Sequence, residues 1–125
     1  MNLVDSSGWL EYFANGKNAS FFAKPLEDPK NLIVPTICLF EVFKRIIQQR
    51  KDDRALEAIA LMHQGQVVDL NSQLSVEAGK LSYDLKLPMA DSIILATAKI
   101  FEATIWTQDS DFRAIAGVKF IESKS

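Results

Sequence analysis

Four carboxylates stand where a fold can gather them: Asp5, Glu41, Asp91 and Asp109, with Asp111 two residues beyond the last. Asp5 closes the apolar run Asn2-Leu3-Val4. Glu41 falls about one and a half turns into a helical pattern that follows Leu32-Ile33-Val34. Asp91 interrupts the apolar stretch from Leu87 to Ala98, and Asp109 sits two residues past Thr104-Ile105-Trp106-Thr107. Each acid has an ordinary use. Asp5 and Asp109 suit helix caps, Asp111 a solvated first turn, and Glu41 an ion pair with Arg45 at i+4, worth about 0.3–0.5 kcal/mol. A first-turn role at a helix N-terminus also competes for Asp91, but a lone charge in apolar surroundings resists a solvated reading, because an unpaired buried carboxylate costs several kcal/mol.

Clustered carboxylates raise one another's pKa, so a fold keeps them where something positive binds. An all-oxygen donor set suits Mg²⁺ or Mn²⁺, and the matching chemistry is phosphodiester hydrolysis, in which the ion activates water and offsets charge in the transition state. Other chemistries are poorly supplied. One cysteine (Cys38) and one histidine (His63) exclude a His/Cys zinc site and leave a Ser-His-Asp system only His63 to run through. Cys38 cannot form an intramolecular disulfide, so nothing asks for an oxidising compartment. A net charge of −2 excludes a polybasic protein that grips nucleic acid by bulk charge, though not a local basic rim.

The elements that must position these acids alternate. Short apolar runs at 2–4, 32–34, 67–68, 104–107 and 118–121 are expected strands. Helical patterns lie at about 9–13, 19–26, 37–51, 53–62, from 71 or 72 to before Pro88, and 89–101, with a short helix or turn over 109–116. Ser6 or Ser7 is expected to cap the first helix, and Asn71 or Ser72 the fifth. Leu74, Ala78, Leu81 and Leu85 mark one face of that fifth helix, whereas the sixth is apolar nearly all round and should be buried on more than one face. Five strands separated by helices mean an α/β protein with a parallel sheet. In such sheets the ligand lies beyond the carboxyl ends of the strands, where strand order reverses. The 125 residues, 48% apolar, suit one domain over 1–125. The N-terminus has no basic or long apolar leader, and 87–98 is too short to span a bilayer, so a soluble cytoplasmic protein with no membrane partner is expected.

The ordered set of segments resembles a known family. Leu3-Val4-Asp5-Ser6-Ser7, Pro35-Thr36 leading to Glu41, Leu74 to Leu81 leading to Leu87-Pro88-Met89-Ala90-Asp91-Ser92-Ile93-Ile94-Leu95-Ala96-Thr97-Ala98, and Thr107-Gln108-Asp109-Ser110-Asp111-Phe112 look like a PIN domain of the VapC toxin type. The resemblance implies a PIN-like three-layer α/β fold, a central parallel sheet of about five strands flanked by helices. It implies a Mg²⁺- or Mn²⁺-dependent endoribonuclease whose metal and catalytic acids fall on Asp5, Glu41, Asp91 and Asp109, with Asp111 the rival for the fourth place. It also implies an RNA substrate, a homodimer and a cognate antitoxin, whose tail would cross a groove framed by the early helices and the Glu41 helix.

Around that site, Ser6 and Thr107 are candidates to hydrogen-bond a carboxylate or a metal-bound water. Lys44, Arg45 and Arg113 are candidates for phosphate contacts. Two apolar regions, Ile37 to Ile47 and the aromatics Trp9, Phe13, Phe21 and Phe22, are either interfaces or mutually covering. A receiver domain phosphorylated on Asp69 would leave Asp91 unexplained and place Lys119 inside a strand pattern, and a haloacid-dehalogenase-type phosphatase would need Asp-x-Asp where Asp5-Ser6-Ser7 stands. A PIN domain that binds without cutting and a PIN-related DNA nuclease are the remaining alternatives.

Overall fold

The computed structural model describes residues 1–49 and 51–124. Five strands, β1 (Asn2–Val4), β2 (Leu32–Pro35), β3 (Gln66–Val68), β4 (Thr104–Thr107) and β5 (Lys119–Phe120), form one sheet in the order β3-β2-β1-β4-β5. Every pairing is parallel, with Leu3 opposite Ile33 on one side and Ile105 on the other. Parallel neighbours need crossovers, and helices supply them. These are α1 (Ser6–Phe13), α2 (Ala19–Leu26), α3 (Thr36–Gln48), α4 (Asp52–Met62), α5 (Ser72–Leu85) and α6 (Met89–Phe101). The chain builds outward from β1 through β2 to β3, then returns to the other side of β1 for β4 and β5. The order therefore reverses between β1 and β4, the place where a ligand is expected.

The central strands read as continuous apolar runs because they are covered on both faces. Leu3, Val4, Leu32, Ile33 and Val34 have no exposed surface. α6 is buried without a break from Asp91 to Ala98, as its all-round apolar pattern requires. α5 packs on α6, and Leu74 and Ala78 meet Ile93 and Ala96. Leu85, expected on the same face, is 45% exposed, since it lies in the last turn before Lys86 adopts a left-handed conformation at φ 58°.

Several boundaries differ from expectation. Asp5, and neither Ser6 nor Ser7, caps α1; the chain leaves β1 extended at Asp5 and turns directly into the helix, so the strand-end acid is also the cap. α3 closes at Gln48, short of Lys51; residue 50 of the expected helix lies outside the described residues. α5 is capped by Asn71, whose side chain accepts from the Leu74 N–H. Residues 109–116 supply only a 3₁₀ turn, Ser110–Phe112, and β5 is shorter than 118–121. The early aromatics cover one another: Trp9 stacks on Phe13 at 5.5 Å, and Phe21 packs edge-on against Phe22 and beside Trp106. α3 buries Cys38, Val42 and Ile46 but leaves Phe40 60% exposed.

Gly8 sets how closely α1 approaches the sheet. A Cβ there would lie 2.5 Å from Val4 Cγ1 and 2.6 Å from Phe22 Cδ1, both on fully buried side chains. Gly8→Ala should therefore destabilise the protein by about 1–3 kcal/mol, the usual cost of overpacking a filled core. Denaturant melts measure it; an unchanged midpoint would show that α1 can ride outward freely.

Candidate active site

The carboxyl ends of β1 and β4 meet at Asp5 and Thr107. Asp5 is 2% exposed, and both of its carboxylate oxygens accept hydrogen bonds. Oδ1 accepts from the Gly8 N–H at 3.0 Å and from Ser7 Oγ at 2.8 Å, while Oδ2 accepts from Thr107 Oγ1 at 2.6 Å. Thr107 Oγ1 in turn accepts from the Asp109 N–H at 2.9 Å. One buried hydroxyl thus ties the acid after β1 to the backbone of the acid after β4. Asp109 Oδ1 accepts from the Asp111 N–H at 2.9 Å and so caps the 3₁₀ turn.

Glu41 arrives on α3 and accepts from Ser6 Oγ at 2.6 Å. Among the described residues it makes no ion pair with Arg45, so the surface-pair use of Glu41 does not hold. Asp91 arrives in the first turn of α6 behind Pro88, which offers no capping side chain. It is buried, and its carboxylate meets those of Asp109 and Asp111, with one oxygen from each lying within 4.8 Å of the others. The four expected acids line a single cleft of about 380 Å³, together with Ser6 and Lys44. The tightest cluster within reach of that cleft is nevertheless Asp91-Asp109-Asp111, with Asp111 contributing from an exposed position.

Crowding shows in the titration of these groups. Burial pushes Asp5 up to about 6, against the opposing hydrogen bonds from Thr107, Ser7 and Gly8, with the Asp109 charge adding to the rise. Asp91 is pushed up to about 8. Burial is again the largest cause, followed by a hydrogen bond shared with Asp111 and the charges of Asp109, Asp111 and Asp5. Cys38 is wholly buried near these acids, and burial raises its thiol far above neutrality, so it is no nucleophile. Oxygen donors only, mutual repulsion and partial desolvation together fit a hard divalent cation, which would relieve all three carboxylates at once.

The basic residues divide. Lys44 and Arg45 line the cleft. Arg113 does not: it pairs with Glu122 and lies over the Phe120 ring at 4.9 Å, because the turn after Asp111 sends its side chain toward β5. One supporting residue, Asn18, carries no sequence signal of its own. Asn18 is 1% exposed; its Nδ2 donates to Gln108 Oε1 at 2.9 Å and to the Glu122 carbonyl at 3.0 Å. The Gln108 N–H leans on Ser7 Oγ at 3.4 Å. Asn18, Gln108 and Ser7 thereby hold the segment that carries Asp109 against α1. In the sequence Asn18 is one more polar residue of the Asn15-Gly16-Lys17-Asn18 turn, and only its long-range partners set it apart.

A parallel sheet in this order, with acids converging at its switch point, defines an α/β protein with a cation-ready acidic cleft. The PIN domain family model matches residues 3–118, and the chain belongs to the PIN domain family. Solved structures of the same fold include VapC20 from Mycobacterium tuberculosis, described as a sarcin-ricin loop cleaving toxin. It superposes with a TM-score of 0.80 at 16% identity over 95% of this chain and 98% of that one. A toxin–antitoxin complex from Klebsiella pneumoniae gives 0.77 at 23% identity over 94% and 95% of the two chains. VapBC2 from Rickettsia felis, bound to a DNA fragment from their promoter, gives 0.74 at 13% identity over 97% of each. At these identities the likeness is one of fold. No curated protein matches the sequence. Among the described residues no helix is long and apolar enough to cross a membrane.

Proposed function

We propose that this protein is a Mg²⁺- or Mn²⁺-dependent endoribonuclease, the toxin of a type II toxin–antitoxin pair that acts in the cytoplasm as a homodimer. The observation that carries the reading is the crowded carboxylate cluster of Asp91, Asp109 and Asp111 beside Asp5 and Glu41, at the switch point of a PIN fold. Asp5, Glu41, Asp91 and Asp109 would hold the ion, with Asp111 at its edge. Once bound, the ion supplies Lewis-acid activation of water and of the phosphodiester. The chain does the rest. Thr107 and Ser7 fix both oxygens of Asp5, Ser6 orients Glu41, and Lys44 and Arg45 face the negatively charged strand. The receiver-type alternative loses its footing, since Asp69 follows the edge strand β3 and is exposed, away from the acidic cleft. The toxin–antitoxin descriptions of the structural relatives support an antitoxin partner.

The test uses purified protein with one single-stranded RNA and its DNA counterpart, in Mn²⁺, in Mg²⁺ and in EDTA. RNA should be cut internally with either metal, and EDTA should stop the reaction. Full activity in EDTA would remove the mechanism. Equal cutting of DNA would convert the reading to a general PIN nuclease, and binding without turnover to an idle module.

A further inference from the structure

The cleft wall formed by α3 carries more than Glu41. Phe40, Lys44 and Gln48 follow one another at i, i+4 and i+8, so they stack into a stripe along the helix, about 6 Å apart per step. Glu41 and Arg45 form a parallel stripe on the same wall. Phe40 is 60% exposed, although it adjoins one of the most buried charged regions of the molecule. The other side chains that α3 gives this cleft are charged or polar, so Phe40 is the flat ring of this wall, with Ile47, 38% exposed, two turns further along the helix. The Lys44 ammonium sits 5.8 Å from the ring centroid and makes no ion pair among the described residues.

A ring, an exposed cation and an acid cluster in sequence along one wall match the three parts of a nucleotide strand. Aromatic side chains stack on any unpaired base, and single-stranded RNA is the form whose bases are free to stack. We propose that Phe40 is the stacking platform for an unpaired base next to the scissile phosphodiester, with Lys44 moving from the ring face to the adjoining phosphate and so freeing that face for the base. This deepens the nuclease reading and rests on it for the identity of the strand. It gives a net acidic protein a local means of holding its substrate. It also selects for unpaired RNA, since a paired base has no free face to offer.

Phe40→Trp adds an exposed indole whose emission lies to the red of that of the native tryptophans, Trp9 and Trp106, which are both buried. Mixing this variant with short single-stranded RNA should quench its emission, and cleavage in Mn²⁺ should persist. Phe40→Ala and Phe40→Leu should raise KM about 5- to 150-fold, the worth of one stacked base, with kcat nearly unchanged, and Phe40→Tyr should restore KM. A leucine variant equal to the parent would overturn the proposal, since apolar bulk would then suffice. So would a lower sedimentation coefficient in the alanine variant with unchanged KM, which would make Phe40 a subunit contact. If the parent cuts no RNA, the nuclease reading falls, yet the emission of the tryptophan variant still decides the stacking: quenching retains it, and an unresponsive indole ends it.

Discussion

Asp91→Asn should cost at least about 100-fold in cleavage while leaving the metal-free protein as stable as the parent, or more so. Partners one shell away from a metal already cost 10–100-fold when removed, so loss of a direct carboxylate sets that floor. The stability half follows from the neighbours. Asp91 holds its proton up to about 8 because it is buried and faces Asp111, Asp109 and Asp5. Asparagine resembles that protonated acid in shape and can donate a hydrogen bond to Asp111 as the acid does. In EDTA the two proteins should melt together near pH 4, and the variant should melt progressively higher as pH rises from 4 to 8, because only the parent's unfolded chain gains by releasing the proton that folded Asp91 keeps. Mn²⁺ should raise the melting temperature of the parent and do so less in the variant, since a ligand stabilises only by binding the native state. If Asp91 served merely to start α6, removing its charge would instead destabilise by about 0.5–2 kcal/mol and leave cutting intact. Four melts and one cleavage assay separate the two.

The second large effect is on pH. Asp5 titrates at about 6 and Asp91 at about 8 in the folded protein, both above their ordinary value of 3.8. Between pH 4 and 8 the native state therefore binds more protons than the unfolded chain, and stability falls as pH rises across that window. Metal-free protein should melt at a higher temperature near pH 5 than near pH 8. Metal reverses the trend, because binding must expel those protons. Apparent Mn²⁺ affinity should climb with pH by about tenfold per unit for each proton displaced: two protons below pH 6, one between 6 and 8, and none above. Calorimetric titrations at several pH values measure the slope. A metal-free melting temperature that rises from pH 5 to 8, or an affinity indifferent to pH, would mean that the acids do not crowd as the geometry has them.

Much of this architecture can be read directly from the residues, for identifiable reasons. β2 and α6 are buried on every side, so their apolar runs are long and unambiguous. The alternation of such runs with helical patterns leaves few topologies. The acids at the ends of β1 and β4 follow from the rule that places ligands at a switch point, and Asp91 from the cost of leaving a charge in apolar surroundings. What stays hidden depends on contacts distant in sequence or on turn geometry. Asp111 looks like a solvated residue, and only the 3₁₀ turn at 110–112 swings its carboxylate to Asp91. Arg113, two residues later, looks like a phosphate ligand and is carried off by the same turn to Glu122. Asn18 reaches Gln108 across 90 positions, and no periodicity encodes that.

Asp5 does two jobs with one carboxylate: it starts α1 through Gly8 and walls the acidic cleft. The two uses are inherited together. On the nuclease reading, a lineage that silences this protein can replace Asp91 and keep a folded, inert copy that still occupies whatever partner binds it. A change at Asp5 also loosens the first helix, so it yields less protein rather than a decoy. On that reading the fold has cheap and costly exits from activity, and natural inactive variants should be found at the start of α6 more often than at the end of β1.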